Sequence, residues 1–325
     1  MNILVYRLSA LGDVAMTIPA IYSCASAWPQ HTFYVVTTAF CSQLFIHHPE
    51  NIKLHPITPP VKTGRLLAEL NHLQIDAVAD LHNVLRSWIV DILFLVKGKK
   101  VRMLKKMRSK RKAIMEHRTS TVKPYTQRYF DVFERLGLNS SPTFSSLFPV
   151  TPPLPVNFAK NQERWIGIAP FARYNNKTYP LEKMQQVVRQ LSAQPGNRIF
   201  LFGSRGHEAT VLKQWESLSP NVLSVAGLFS LKEELALMAY LDVMLSMDSS
   251  NMHMASLAGT RVVSVWGSTT PACGFLGWQQ SEKNAACLNI PCQPCTIGGS
   301  NHCKKETMEC LEGLSPEILT KLILK

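Results

Sequence analysis

The chain places small polar and charged residues at the ends of apolar runs, where a strand gives way to a helix. The stretch "MDSSNMHMASLAG" (247–259) offers the most chemistry: Asp248 ends a strand, and Ser249, Ser250 and Asn251 open a helix. First-turn amides are unpaired donors at the positive end of the helix, and small residues let a diphosphate approach them. The same residue types also serve as ordinary caps. His253, near the end of that turn, faces a ligand or is structural. In "APFARYNNKTYP" (169–180), Arg173 and Lys177 lie in a polar loop after another strand. A lysine there can neutralise charge growing on a departing phosphate, or it is a plain surface lysine. In "FGSRGHEA" (202–209), Glu208 opens the next helix, where a carboxylate is stabilised in any case and can also accept from a ribose.

"RLSALGDV" (7–14), directly after "NILVY", resembles a phosphate turn but has a single glycine, Gly12, with Asp13 beside it. The G-x-G-x-x-G fingerprint is missing here and elsewhere in the chain, which argues against a dinucleotide oxidoreductase. Gly12 is read as permitting a tight turn. Near the other end, Cys292, Cys295, Cys303 and Cys310 form C-x2-C-x7-C-x6-C. Four thiolates would suffice for a closed structural zinc site with no open catalytic position, although irregular spacing also suits free buried cysteines.

Strand–helix alternation positions these residues. "NILVY", "TFYVVTTA" (32–39), "IKLHPI" (52–57) and "DAVADL" (76–81) read as strands, with helices at Val14 to about Trp28, "RLLAEL" (65–70) and "VLRSWIVDILFLV" (84–96). The proline-rich stretch 150–163 reads as a linker. The alternation then restarts with strands at "RWIGIAPF", "RIFLFG", "VLSVAG", "VMLSMD" and "RVVSVWG" and helices at "PLEKMQQVVRQL" and "SLKEELALMAYL". Ser230 and Glu233 stand at capping-box spacing in the last of these. This predicts an α/β chain of two doubly wound domains, 1–155 and 156–325, with ligands at the carboxyl ends of the strands in a cleft between them.

Of 325 residues 46% are hydrophobic, enough for two cores, and the net charge is +13. Eleven Lys and Arg against one Glu are concentrated in 97–118. This block reads either as a solvated, mobile loop or as a surface for anions. It holds no aromatic residue for base stacking, so no nucleic-acid partner is expected. The longest apolar run, "WIVDILFLV" (88–96), is too short to cross a bilayer. With no signal core at the start, the reading is a cytoplasmic protein, peripheral to the inner face of the membrane.

"RLSALGDV" with "TIPAI", "APFARYNNKTYP" and "MDSSNMHMASLAGTRVVSVWGSTTP", in this order, resemble the heptosyltransferase family, glycosyltransferase family 9. The resemblance implies a GT-B fold with an acceptor-binding N-terminal domain and a donor-binding C-terminal domain. It implies a metal-independent, inverting transfer of a sugar, heptose from ADP-heptose, to a lipopolysaccharide core or similar anionic glycolipid, with no cofactor required. By match to the family motifs, Asp13 is the catalytic aspartate and Lys177 contacts the donor phosphates. Glu208 lies near the nucleoside, and Asp248, Ser249, Ser250, Asn251 and His253 form the donor turn. Ser250 and Asn251 depart from the family's usual residues, which leaves open another nucleotide-sugar transferase of surface glycan assembly. A non-catalytic nucleotide- or anion-binding protein is the remaining alternative, and Asp13 argues against it.

Overall fold

The computed structural model describes residues 1–60, 63–155 and 158–325; the domain boundary expected at 155/156 runs into residues outside that description. The chain divides into two compact units, Met1–Met107 with Lys123–Leu147, and Arg108–Val122 with Phe148–Lys325.

The first unit contains β1 (Asn2–Tyr6), α1 (Leu11–Ala15), α2 (Ile18–Ala27), β2 (Thr32–Thr38), α3 (Ala39–Ser42), β3 (Ile52–Ile57), α4 (Thr63–His72), β4 (Ala77–Asp80), α5 (Leu85–Val96) and β5 (Lys100–Met103). Its described strands are all parallel, in the order β3-β2-β1-β4-β5. β1, buried from Ile3 on, and the buried β4 sit inside the sheet, while Pro56 falls in edge strand β3, where its missing N–H costs least. Leu4, Tyr6, Val78, Val90 and Phe94 share the core.

Three expectations change here. The helix expected from Val14 to Trp28 is two helices, because the chain turns at Met16–Thr17, where Thr17 Oγ1 donates to Val14 O at 2.7 Å. Gly12 lies inside α1, so it does not make the turn after β1. The basic block is not a loop: it forms β5 and then α6 (Arg108–Met115), because Val101, Leu104 and Ile114 are buried. The Arg108–Val122 segment belongs to the second unit, and Val122 N donates to Ala272 O at 3.1 Å. The first unit closes with α7 (Tyr125–Leu136), whose Tyr129, Val132 and Phe133 are buried.

The second unit runs β6 (Arg164–Ala169), α8 (Leu181–Ser192), β7 (Asn197–Leu201), α9 (His207–Gln214), β8 (Val222–Ser224), α10 (Leu231–Met238), β9 (Val243–Met247), α11 (Ser250–Leu257), β10 (Val262–Val265), β11 (Ala285–Ala286), α12 (Glu309–Glu312) and α13 (Pro316–Leu324). The described strands pair in parallel in the order β11-β10-β9-β6-β7-β8. α10 starts with the expected box: Ser230 N donates to Glu233 Oε2 at 2.7 Å, and Glu233 N to Ser230 Oγ at 3.4 Å. α13 buries Leu319 and Ile323 in the unit's core, and Arg164 and Arg261 donate to the carbonyls that end it.

Candidate functional site

In the first unit, the carboxyl ends of β1 and β4 carry a charged cluster. Arg7 follows β1 and is buried, and its guanidinium donates to Leu81 O at 2.8 Å and pairs with Asp13 Oδ2 at 2.7 Å. Asp13 is the third residue of α1, where the helix end stabilises a carboxylate, and it also accepts from Ala10 N at 3.3 Å. Its side chain is 32% exposed, so it is reachable from solvent although its guanidinium partner is not. Burial lowers the Arg7 pKa, but nearby Tyr129, Asp13 and Tyr125 outweigh that and raise it; the guanidinium stays charged. His82 is the opposite case. Burial, then the Arg7 charge, pushes its pKa down to about 4, so it is neutral near pH 7. Asp80, at the end of β4, fixes the turn that carries His82 by accepting from His82 N and Asn83 N at 2.8 Å each and from Ser87 Oγ at 2.7 Å.

In the second unit, Lys177 closes a single 3-10 turn (Asn175–Lys177) in the loop after β6. Its Nζ stands 2.6 Å from Asp248 Oδ2, with the two side chains only 12% and 4% exposed. The same oxygen accepts from Thr269 Oγ1 at 2.6 Å. Asp248 is fixed at the end of β9 by its own N–H, which donates to Val265 O at 3.1 Å. Ser249 is the N-cap of α11, yet its hydroxyl does not cap the helix and lies 3.3 Å from Ser246 Oγ instead. The first turn, with Ser250 and Asn251 half-buried, therefore keeps its N–H groups without a side-chain cap. His253 is buried on the same helix.

Asn176 holds the lysine turn in place. Its carbonyl accepts from Ser268 N at 2.9 Å, and its side-chain oxygen accepts from Ser300 N at 2.8 Å. A Cβ on Gly267 would come within 2.4 Å of that carbonyl, so the approach requires glycine. Gly299, at φ +98°, lies against Lys177 in the same way: a Cβ there would meet Lys177 Cδ at 2.6 Å.

The remaining expected residues are less engaged. Arg173 is exposed, its guanidinium 5.5 Å from the Tyr174 ring centroid, and it does not join the Lys177–Asp248 pair. Glu208 accepts from Ser204 N at 2.6 Å, the helix-start role open to it from sequence. Cys292, Cys295, Cys303 and Cys310 line one small cavity together with Asn176 and Ser268. Burial, then the neighbouring cysteines, pushes the Cys310 thiol up to about 12. At Cys303 burial raises the pKa, but the backbone N–H groups of Met308, Lys305, Glu306 and Thr307 outweigh it and lower the thiol. Among the described residues no three His, Cys, Asp or Glu side chains are grouped to hold a metal ion. Reading the sequence missed Arg7, Thr269, Asn176 and Gly299. Only Arg7 had a signal, a lone cation between a buried strand and Asp13.

The chain matches the family model for glycosyltransferase family 9 (heptosyltransferase) over residues 63–305. No curated protein matches it at a significant level. Among solved structures it is similar to E. coli heptosyltransferase WaaC with ADP, at 16% identity and TM-score 0.70, covering 100% of this chain and 99% of that one. E. coli ADP-heptose lps heptosyltransferase II follows at 18% identity and TM-score 0.69, covering 100% and 98%. The iron-containing dodecameric heptosyltransferase TibC in complex with ADP-D-beta-D-heptose is more distant, at 11% identity and TM-score 0.58, covering 99% and 75%. At these identities the likeness is one of fold: two Rossmann-like parallel-sheet domains of the GT-B class.

Proposed function

The chain belongs to glycosyltransferase family 9, and we propose that it transfers heptose from ADP-heptose, with inversion, to a lipopolysaccharide core or similar anionic glycolipid. The buried Lys177–Asp248 pair beside the uncapped start of α11 carries this reading. A departing diphosphate needs a cation held in place and amide donors already oriented, and this cluster supplies both. Asp248, itself held by the Thr269 hydroxyl, holds the ammonium and Asn176 holds its turn, so little reorganisation is required when charge develops. Glu208 and Arg173 are assigned to the nucleoside and phosphate periphery, and His253 to packing under the turn.

The acceptor residue is Asp13. In a single displacement the acceptor hydroxyl oxygen bonds to the anomeric carbon, the bond from that carbon to the phosphate oxygen breaks, and the diphosphate leaves with the electron pair. The hydroxyl proton passes to Asp13. A carboxylate is far less basic than an alkoxide, so the proton moves late, once bond formation has made the hydroxyl acidic. Arg7 orients Asp13 through the 2.7 Å pair, holding the carboxylate in place to accept that proton. The residues up to 155 then serve the acceptor and those from 156 the donor. The transfer uses Lys177 where other transferases use a metal. Four thiols around one cavity match a structural zinc in number and type, but as they stand in the structure they are not grouped to hold one. Such an ion would brace the Asn176 turn and take no part in the transfer.

Asp13→Asn is expected to lower ADP release by at least about a thousandfold while leaving ADP affinity within about twofold. Near-normal turnover would refute the base. Arg7→Ala should lower kcat with KM for the donor unchanged, and Arg7→Lys should restore part of it. ADP should raise the melting temperature more than UDP does. Preference for UDP would move the assignment to another nucleotide-sugar transferase.

A further inference from the structure

Helix α5 turns an apolar face outward. An ordinary surface helix turns its apolar stripe inward and its polar face to water. Here Ser87, Val90, Asp91 and Phe94 are buried, while Leu85, Trp88, Ile89, Ile92, Leu95 and Val96 face outward, from 40% exposed at Trp88 to 83% at Val96. At about 100° per residue these six fall within an arc of roughly 120°, a continuous apolar stripe along the helix. Among the described residues no other helix exposes such a set. Isolated exposed apolar side chains need no explanation, but a contiguous face does.

The charge around the stripe identifies what covers it. From Val84 to Met107 the only acidic residue is Asp91, which is buried, against Arg86, Lys97, Lys99, Lys100, Arg102, Lys105 and Lys106. Arg86 is exposed at the start of the helix, and Lys97 is exposed just past its end, its Nζ 5.7 Å from the Phe94 ring centroid. Outside the segment, the exposed Asp76 carboxylate stands 3.9 Å from Lys99. An apolar helix face with cations at both ends and no exposed anion between residues 84 and 107 matches the boundary between acyl chains and anionic headgroups. At twelve residues α5 extends about 18 Å, and none of the described helices is long and apolar enough to cross a membrane, so it would lie in the plane of the surface.

We propose that the outward face of α5 is a docking surface for an anionic lipid bilayer, with the apolar side chains at the acyl boundary and Arg86 and Lys97 against lipid phosphates. This deepens the reading of the acceptor as a glycolipid and rests on it only for its purpose, because lipid binding is measured without catalysis.

The test is co-sedimentation of the full chain with vesicles of phosphatidylethanolamine and phosphatidylglycerol, and with vesicles of phosphatidylcholine alone. Binding is expected to the first, weakened by 0.5 M salt, and to be much weaker to the second. Ile89→Gln with Ile92→Gln, exposed positions given a good helix former, should reduce binding about tenfold or more with the melting temperature unchanged. Emission of the wild-type chain should shift blue on binding, and Trp88→Phe should remove that shift. Equal vesicle binding by the Gln variant and wild type would overturn the proposal, as would no binding by either. A concentration-dependent dimer that the same substitutions dissolve would also overturn it, assigning the face to a second copy of the chain. Failure here is separable from failure of the transfer reading. The Gln variant should still use a deacylated, water-soluble acceptor, whereas Asp13→Asn should still bind vesicles.

Discussion

Lys177→Met removes one partner of a pair that is 12% and 4% exposed. Removing one member of a buried ion pair typically costs 3–5 kcal/mol, because the other charge stays behind in a poor solvent. Asp248 retains the Thr269 hydroxyl on the same oxygen, so the expected cost lies at the low end, about 3 kcal/mol. For a unit of this size that is about 6–12 °C in melting temperature. Asp248→Asn should cost less, about 1–2 kcal/mol, since the stranded ammonium sits on a flexible stem and can turn toward water. The double variant leaves no stranded charge and should be no less stable than Lys177→Met alone, a coupling of about 1–2 kcal/mol. Urea unfolding followed by tryptophan emission reads this, because Trp165 and Trp266 are buried in the second unit. Costs that add within about 0.5 kcal/mol would refute the reasoning, since the pair would then not share one desolvated environment.

Two further outcomes follow. Burial, then the neighbouring Asp80, pushes the Asp91 carboxyl up to about 8. An unfolded Asp titrates near ~3.9, so the native chain binds the extra proton between about pH 4 and 8, and stability falls as pH rises through that window and levels off above it. Asp91→Asn should flatten that fall in thermal unfolding from pH 5 to 8; an unchanged slope would place the titration elsewhere. Iodoacetamide near neutral pH should modify Cys303, with its lowered thiol, well before buried Cys310. Stoichiometric zinc should protect both, and a Cys303 that reacts at the same rate with zinc present would refute the four-thiolate site.

Much of this molecule was legible from local pattern. Largely apolar runs such as residues 3–6 and Val243–Met247 become central parallel strands because only a sheet covered on both faces buries every side chain of such a run. Ser230 and Glu233 marked the start of α10 by themselves, since a capping box closes within four residues. Asp13, Lys177 and Asp248 stood out because each follows a strand, and the carboxyl ends of parallel strands are where such folds place chemistry.

Long-range pairing could not be read in this way. Nothing in the sequence joins Lys177 to Asp248, or Asn176 to Ser300, because partners so far apart in sequence meet only once the sheet has set its strand order. The basic block shows the same limit: its charges left a solvated loop or an anion surface open, and burial of Val101, Leu104 and Ile114 made it a strand and a helix. The amphipathic period of α5 was plain in the sequence, but period alone does not say which face turns inward. Packing against β4 and β5 decided it, burying Ser87 and Asp91 and leaving the apolar stripe outside. The sequence thus determined the elements and the candidate chemistry, through local periodicity and capping. Tertiary structure decided which charges are paired and which faces are exposed, because burial is a property of the assembled core.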